Sequence, residues 1–308
     1  MLTNFVIVIV CIIALAFGAS LVVDSAARMA RKLRVSDLVI GLTVVAIGTS
    51  APEFAVTVSA ALNGQANISV GNVVGSNIFN LGFILGGVVL FKSLATNKKL
   101  VYRDGIFLIS VTLLLLFFMR DLTLQRYEGF ILFGLLIAYI IFLYVRREAS
   151  DEELPEGEFS LKDVPLFLAG VVLVVAGGHY LVEAASEIAR AFGVSEWVIA
   201  VSIVAAGTSA PEMVTSLVGA IRGHEGISIG NLIGSDLFNL LGVLGLAGII
   251  QTQPMTIDPS GLSSLALLSG MVILVVILMR TGWRLARWEG GLLIGINLLR
   301  WYLDFTTA

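Results

Sequence analysis

The string GTSAPE occurs at 48–53 and again at 207–212, each time inside an apolar run long enough to cross a bilayer. It sets two glutamates, Glu53 and Glu212, at membrane depth, each behind a Thr-Ser pair and a proline. A carboxylate in the hydrocarbon zone is costly without a partner, so an intramembrane acid is a functional-site candidate. Two such acids in identical surroundings point to a duplicated half-site for a cation.

The duplication extends outward from the motif. A shift of 159 residues lays 35–87 on 194–246 without a gap, with about half of the positions identical. VSDLVIGLTVVAIGTSAPE matches VSEWVIAVSIVAAGTSAPE, and ISVGNVVGSNIFNLGFILG matches ISIGNLIGSDLFNLLGVLG. Weaker matches continue upstream, pairing Gly18 with Gly177, Asp24 with Glu183 and Arg31 with Arg190. The chain therefore divides into two halves, 1–146 and 164–308. They are joined by an acidic stretch at 147–163 that includes Asp151, Glu152, Glu153, Glu156 and Glu158. A block of like charges reads as a solvated linker.

Composition sets the medium. The 308 residues are 57% hydrophobic and 13% charged, against about 25% charged for a soluble domain. Mean hydropathy is +0.98. These values exclude a soluble protein, and a net charge of −3 offers nothing for nucleic acid. The single cysteine, Cys11, has no intrachain disulfide partner. At roughly 20 residues per span there is room for about ten helices. They fall near 4–23, 37–62, 69–91, 104–119, 127–145, 164–182, 196–221, 227–250, 262–279 and 288–303. The first run lacks a basic lead and is too long for the apolar core of a signal peptide, so it reads as a transmembrane helix. The fold class expected is an all-α integral membrane protein of ten transmembrane helices.

Basic residues orient it. With ten spans, 15 of the 19 lysines and arginines fall on one side, and only Arg120, Arg126, Arg190 and Arg300 on the other. The positive-inside rule then puts both termini outside and the linker in the cytoplasm of a cell-membrane protein. Each half has five spans, so the halves enter the membrane from opposite sides. An inverted repeat of this kind is common among secondary transporters. Trp283, Trp288, Trp301 and Tyr302 suit an interfacial aromatic belt.

The motif carries oxygen. Pro52 and Pro211 each lack an amide hydrogen and clash one turn back, at Gly48 and Gly207, so the helix should break there. Broken backbone at membrane depth is tolerated where it lines a polar cavity, which makes the carbonyls of Ala46 and Ala205 candidate ligands. Thr49, Ser50 and Glu53, with Thr208, Ser209 and Glu212, add hydroxyls and carboxylates. In GNVVGSNIFN, Ser76 and Asn80 share a helix face, as do Ser235 and Asn239 in GNLIGSDLFN. Gly71, Gly75, Gly230 and Gly234 read as small residues for close helix packing. All these donors are hard oxygens, the type that sodium and calcium prefer.

The paired GTSAPE and GNxxGSxxxN elements resemble the alpha repeats of the calcium/cation antiporter superfamily, in particular the sodium/calcium exchangers and their prokaryotic relatives. The resemblance covers essentially the whole chain. It implies alternating access to a central site whose ligands are Glu53 and Glu212, the hydroxyls of Thr49, Ser50, Thr208, Ser209, Ser76 and Ser235, the carbonyls of Ala46 and Ala205, and the side chains of Asn80 and Asn239. It further implies sodium and calcium as the partners transported across a lipid bilayer, with no cofactor and no catalytic residue. Potassium-dependent relatives carry aspartate where this chain has Asn239, so the asparagine implies potassium independence. Asp236, one turn earlier, either faces water or a polar contact, or returns a third carboxylate to the cavity; both readings stand. Proton/calcium antiport is the alternative within the class, although such relatives carry an acid where Gly75 and Gly234 stand. A cation channel would place repeated ligands around an oligomer axis. An enzyme would need a nucleophile–base pair or metal triad, and His179 and His224 do not supply one. Asp24 and Glu183 are expected at helix ends, solvated or beside Arg31 and Arg190.

Overall fold

The computed structural model describes residues 2–146, 159–194, 199, 203, 205–251 and 253–307. The acidic residues Asp151 to Glu158 and most of 195–204, the start of the seventh expected span, lie outside the described residues. The long helices are α1 Leu2–Leu33, α2 Asp37–Thr49, α3 Ala51–Leu62, α4 Ala66–Phe91, α5 Leu100–Asp121, α6 Arg126–Val145 and α7 Asp163–Ala191. They continue with the short α8 Ala205–Thr208, α9 Ala210–Ile221, α10 Glu225–Ile250, α11 Pro259–Arg280 and α12 Arg287–Thr307. Among the described residues seven helices are long and apolar enough to cross a membrane, or eight if α2 and α3 are one span. Their outer faces stay apolar. On α1, Phe5, Ile9, Ile13 and Phe17 are exposed while Leu15, Ala19 and Val22 are buried. A helix apolar on all sides belongs in lipid rather than water. Helices α1 and α7 run well beyond the apolar cores expected at 4–23 and 164–182, because their polar continuations carry Arg28, Arg31 and Glu187 without a helix breaker.

Two compact units emerge: the described residues of Met1–Pro52 and Glu148–Asn231 form one, and those of Glu53–Arg147 and Leu232–Ala308 the other. Each draws helices from both sequence halves.

In the first unit α1 crosses α7 at two glycines. A Cβ on Gly18 would lie 3.0 Å from the Gly170 carbonyl oxygen, and one on Gly170 would lie 2.8 Å from that of Gly18. One end of this unit is held by polar contacts. Arg28 Nε meets Asp163 Oδ1 at 2.6 Å, Arg222 pairs with Asp24, and His224 Nδ1 lies 2.7 Å from Asp37 Oδ2. One expectation is corrected here: Asp24 sits inside a continuous helix and not at its end, and Arg222 is its partner.

The second unit shows the repeat in its packing. The C-terminal half of α4 meets α12 at Gly86 and Gly290, and that of α10 meets α6 at Gly245 and Gly129. A Cβ on Gly290 would lie 2.5 Å from the Gly86 carbonyl oxygen, and one on Gly129 would lie 2.8 Å from that of Gly245. Gly245 is the repeat counterpart of Gly86. Two short ribbons follow the same exchange. β1 Leu94–Ala95 pairs antiparallel with β4 Arg284–Leu285, and β2 Thr123–Leu124 with β3 Met255–Thr256. The helix starts match too. Glu128 Oε2 accepts the Gln125 N–H at 2.8 Å, and Glu289 Oε2 accepts the Ala286 N–H at 2.7 Å, each a carboxylate satisfying an otherwise orphaned amide.

Gly290→Ala is expected to force α12 off α4 and destabilise the protein by about 1–3 kcal/mol, the usual cost of overpacking. Gly134→Ala, at a helical glycine where a Cβ meets nothing within 4 Å, is expected to be neutral or mildly stabilising. Thermal unfolding in detergent measures both; equal loss in the two variants would refute the contact argument.

Candidate functional site

The GTSAPE segments break their helices at the serine. Ser50 has φ −80° and ψ 15°, and Ser209 φ −92° and ψ 13°. Helix resumes at Ala51 and at Ala210, so Pro52 and Pro211 fall in the first turn, where a missing amide hydrogen costs nothing. The Ala46 carbonyl is engaged: it accepts the Ser50 N–H at 3.0 Å, with the Thr49 hydroxyl at 3.4 Å. The carbonyl that loses its helical donor to Pro52 is that of Gly48. The backbone of Ala205 opens α8.

In the first unit the break is tied to α9 and α10. Ser50 Oγ donates to Glu212 Oε1 at 2.9 Å, and Thr49 Oγ1 donates to Asn231 Oδ1 at 3.0 Å. Asn231 Nδ2 in turn donates to Ser216 Oγ at 3.0 Å and to the Glu212 carbonyl at 3.4 Å. Ser228 Oγ donates to the Ser216 carbonyl at 2.7 Å. Thr49, Ser50, Ser209, Glu212, Ser216 and Asn231 are all fully buried, and Thr208 is half-buried.

The second unit repeats the pattern 159 residues earlier in the chain. Asn72 Nδ2 donates to Thr57 Oγ1 at 3.0 Å and to the Glu53 carbonyl at 3.3 Å, and Ser69 Oγ donates to the Thr57 carbonyl at 3.1 Å. Three hydrogen bonds around one glutamate thus recur around the other. Glu53 is fully buried at the first turn of α3. On α4 and α10 the helix loosens into π turns at Asn80–Ile84 and Phe238–Val243, again at repeat-related positions. Such turns concentrate at functional sites. Asn80 Nδ2 donates to Asp236 Oδ1 at 3.1 Å, Asn77 Nδ2 to the Asp236 carbonyl at 3.0 Å, and Asn239 Nδ2 to Asn77 Oδ1 at 3.1 Å. Asn77, Asn80, Ser235, Asp236 and Asn239 are fully buried, and Ser76 nearly so. The water-facing reading of Asp236 is therefore wrong.

The sequence-derived residues come together in part. Ser50 meets Glu212, and Asn80 meets Asp236, each within one unit. Sequence reasoning passed over the asparagines Asn72 and Asn231, the hydroxyls Thr57, Ser216, Ser69 and Ser228, and Asn77. A signal for them was present: all are polar residues inside apolar spans, and each matches a polar residue in the other copy. Nothing in the sequence announces the π turns. The glycines split. A Cβ on Gly230 would lie 2.7 Å from the Leu38 carbonyl oxygen, as a packing role requires. Gly71 and Gly75 instead meet nothing within 4 Å and line a cavity of about 200 Å³ with Asn67, Asp258, Ser264 and Arg300. Their expected role in helix packing does not hold.

Carboxylate, amide, hydroxyl and carbonyl oxygens supply the acceptors of both clusters, and among the described residues no three His, Cys, Asp or Glu side chains group closely enough to hold a metal ion by themselves. Such a donor set favours hard cations.

A family model described as sodium/calcium exchanger protein matches residues 3–145 and 162–302. The chain is 34% identical to a putative antiporter, CaxA, of Alkalimonas amylolytica over 100% of both chains. It is 32% identical to the sodium/calcium exchanger MaX1 of Methanosarcina acetivorans, across 98% of this chain and 97% of that one. Among solved structures, the sodium-calcium exchanger NCX_Mj superposes with a TM-score of 0.85 at 27% identity, covering 97% of each chain.

Asn72→Ala and Asn231→Ala are each expected to cost about 1–3 kcal/mol, the usual penalty for stripping buried hydrogen-bond partners. Asn231→Ala should be the more harmful, because the Thr49 hydroxyl also loses the nearer of its two acceptors. Thermal unfolding of both variants in detergent checks the ranking; an unchanged midpoint for Asn231→Ala would contradict it.

Proposed function

The chain belongs to the sodium/calcium exchanger family, and from that premise we propose that it is a secondary antiporter exchanging sodium for calcium across the cell membrane. The observation that carries this reading is the recurrence, around Glu53 and around Glu212, of the same asparagine and serine hydrogen bonds on equivalent helices. Two fully buried carboxylates can balance one divalent charge, and a cation is what makes their burial tolerable. The proposed ligands are Glu53, Glu212, Thr49, Ser50, Thr208, Ser209, Ser76, Ser235, Asn80 and Asn239, with the carbonyls of Ala46 and Ala205. Sodium and calcium are both hard cations of similar size, so one oxygen-lined site serves both in turn, and occupation by one excludes the other.

The topology we assign is ten spans in two inverted five-helix repeats, 1–146 and 164–308, with the linker 147–163 in the cytoplasm and both termini outside. Support comes from the exchange-related ribbons and glycine crossings of the second unit. An inverted repeat offers two nearly equivalent arrangements that expose a site to opposite sides, which is the basis of alternating access. Asn239, neutral where potassium-dependent relatives are acidic, favours potassium independence. Gly75 and Gly234, in place of the acid of proton-coupled relatives, favour sodium over protons.

Reconstituted into sodium-loaded vesicles, the protein is expected to take up calcium only while the sodium gradient lasts, with no response to potassium. Glu53→Gln and Glu212→Gln should each reduce uptake to background with the fold intact. Uptake driven by a pH gradient without sodium would replace the sodium reading by a proton/calcium antiporter. Uptake down the calcium gradient with no opposing ion would indicate a channel, and near-normal transport by either glutamine variant would remove the paired-carboxylate site.

A further inference from the structure

Asp236 and Asn77 occupy the same position in the two copies of the repeat, and both are fully buried. Each receives the side-chain amide of the asparagine that stands at the π turn of the other copy. Asn80 Nδ2 donates to Asp236 Oδ1, and Asn239 Nδ2 donates to Asn77 Oδ1, both at 3.1 Å. These are one hydrogen bond drawn twice. A third contact is drawn once among the described residues, since an ionised carboxylate has no hydrogen with which to return it: Asn77 Nδ2 donates to the Asp236 backbone carbonyl at 3.0 Å.

An amide has a donor end and an acceptor end and can turn over, whereas a carboxylate and a backbone carbonyl only accept. The Asp236 carboxylate therefore admits Asn80 in one orientation alone. The Asp236 carbonyl fixes Asn77, whose oxygen then admits only the donor end of Asn239. The outcome is that Asn80 Oδ1 and Asn239 Oδ1 are both buried with no hydrogen-bond partner among the described residues. Two asparagines at 77 and 236 would satisfy the network with either amide orientation at 80. Two aspartates would face each other as like charges. Only the mixed pair defines one arrangement.

We propose that Asp236 is a positioning residue for the transported cation: through its carboxylate and its carbonyl it aims the oxygens of Asn80 and Asn239 at the ion. This rests on the reading of the site as a calcium-binding one, but it concerns binding and not coupling, so the two are tested apart.

The test is equilibrium binding of radioactive calcium to the purified full chain, with thermal unfolding measured alongside. Asp236→Leu is expected to weaken calcium binding about tenfold or more, as loss of a hydrogen bond to a charged group implies. Asp236→Asn should weaken it too. Adding Asn77→Asp to Asp236→Asn exchanges the two roles and should restore affinity to within about threefold of the unaltered protein, since the mixed pair is re-formed on the opposite copy. If Asp236→Leu does not fold, the exchange pair alone decides. An exchanged protein that binds no better than Asp236→Asn, or a folded Asp236→Leu variant with unaltered affinity, overturns the proposal. The expected binding pattern without sodium-driven flux in any variant upholds the positioning role and removes the exchanger reading.

Discussion

Burying a carboxylate in an apolar surround is the constraint from which the rest of this protein follows. Glu53 and Glu212 are fully buried in a chain that is 13% charged. Water cannot solvate them as it does on a surface, so groups of the protein must meet them, and the proposed cation would balance their charge. One hydrogen-bond donor comes from the first chain break, while α4 and α10 hold the backbone beside the acids. A helix broken at Ser50 turns its hydroxyl to Glu212. Asn72 and Asn231 hold the carbonyls of the two glutamates in place. Each of these asparagines lies within a helix and reaches a hydroxyl of the neighbouring helix, Thr57 or Ser216.

Geometry of this kind is built twice, once around each glutamate. The duplication is visible at every level that the structure reaches. It shows in the three hydrogen bonds around each glutamate, in the π turns at Asn80 and Phe238, in the capping carboxylates Glu128 and Glu289, and in the two ribbons. The copies are not identical, and the differences are informative. Asp236 stands opposite Asn77, and Gly230 is packed against Leu38 while Gly71 faces a cavity.

Much of this was legible in the sequence. Apolar run lengths locate the helices, and the position of proline relative to Gly48 and Gly207 locates the breaks to within a residue or two. The shift of 159 residues marks Glu53 and Glu212 as a pair. Other features were hidden for physical reasons. Asn72 and Asn231 look like ordinary polar residues of a glycine-rich helix until the three-dimensional crossing sets them beside Thr57 and Ser216. The partner of Asp24 is Arg222, 198 positions away, a distance at which local charge spacing is uninformative. Gly71 and Gly75 carry the same small-residue pattern as Gly230, and only the neighbours decide whether that pattern packs or leaves space. The π turns at Asn80–Ile84 and Phe238–Val243 carry no proline or other local signal that would mark them in the sequence.

The central claim is that sodium and calcium compete for one set of buried oxygens. Calorimetric titration of the purified protein with calcium at a series of sodium concentrations tests it most directly. The account predicts that sodium raises the apparent calcium dissociation constant more steeply than in direct proportion, because more than one sodium ion is needed to replace a divalent charge. A calcium affinity indifferent to sodium would contradict it.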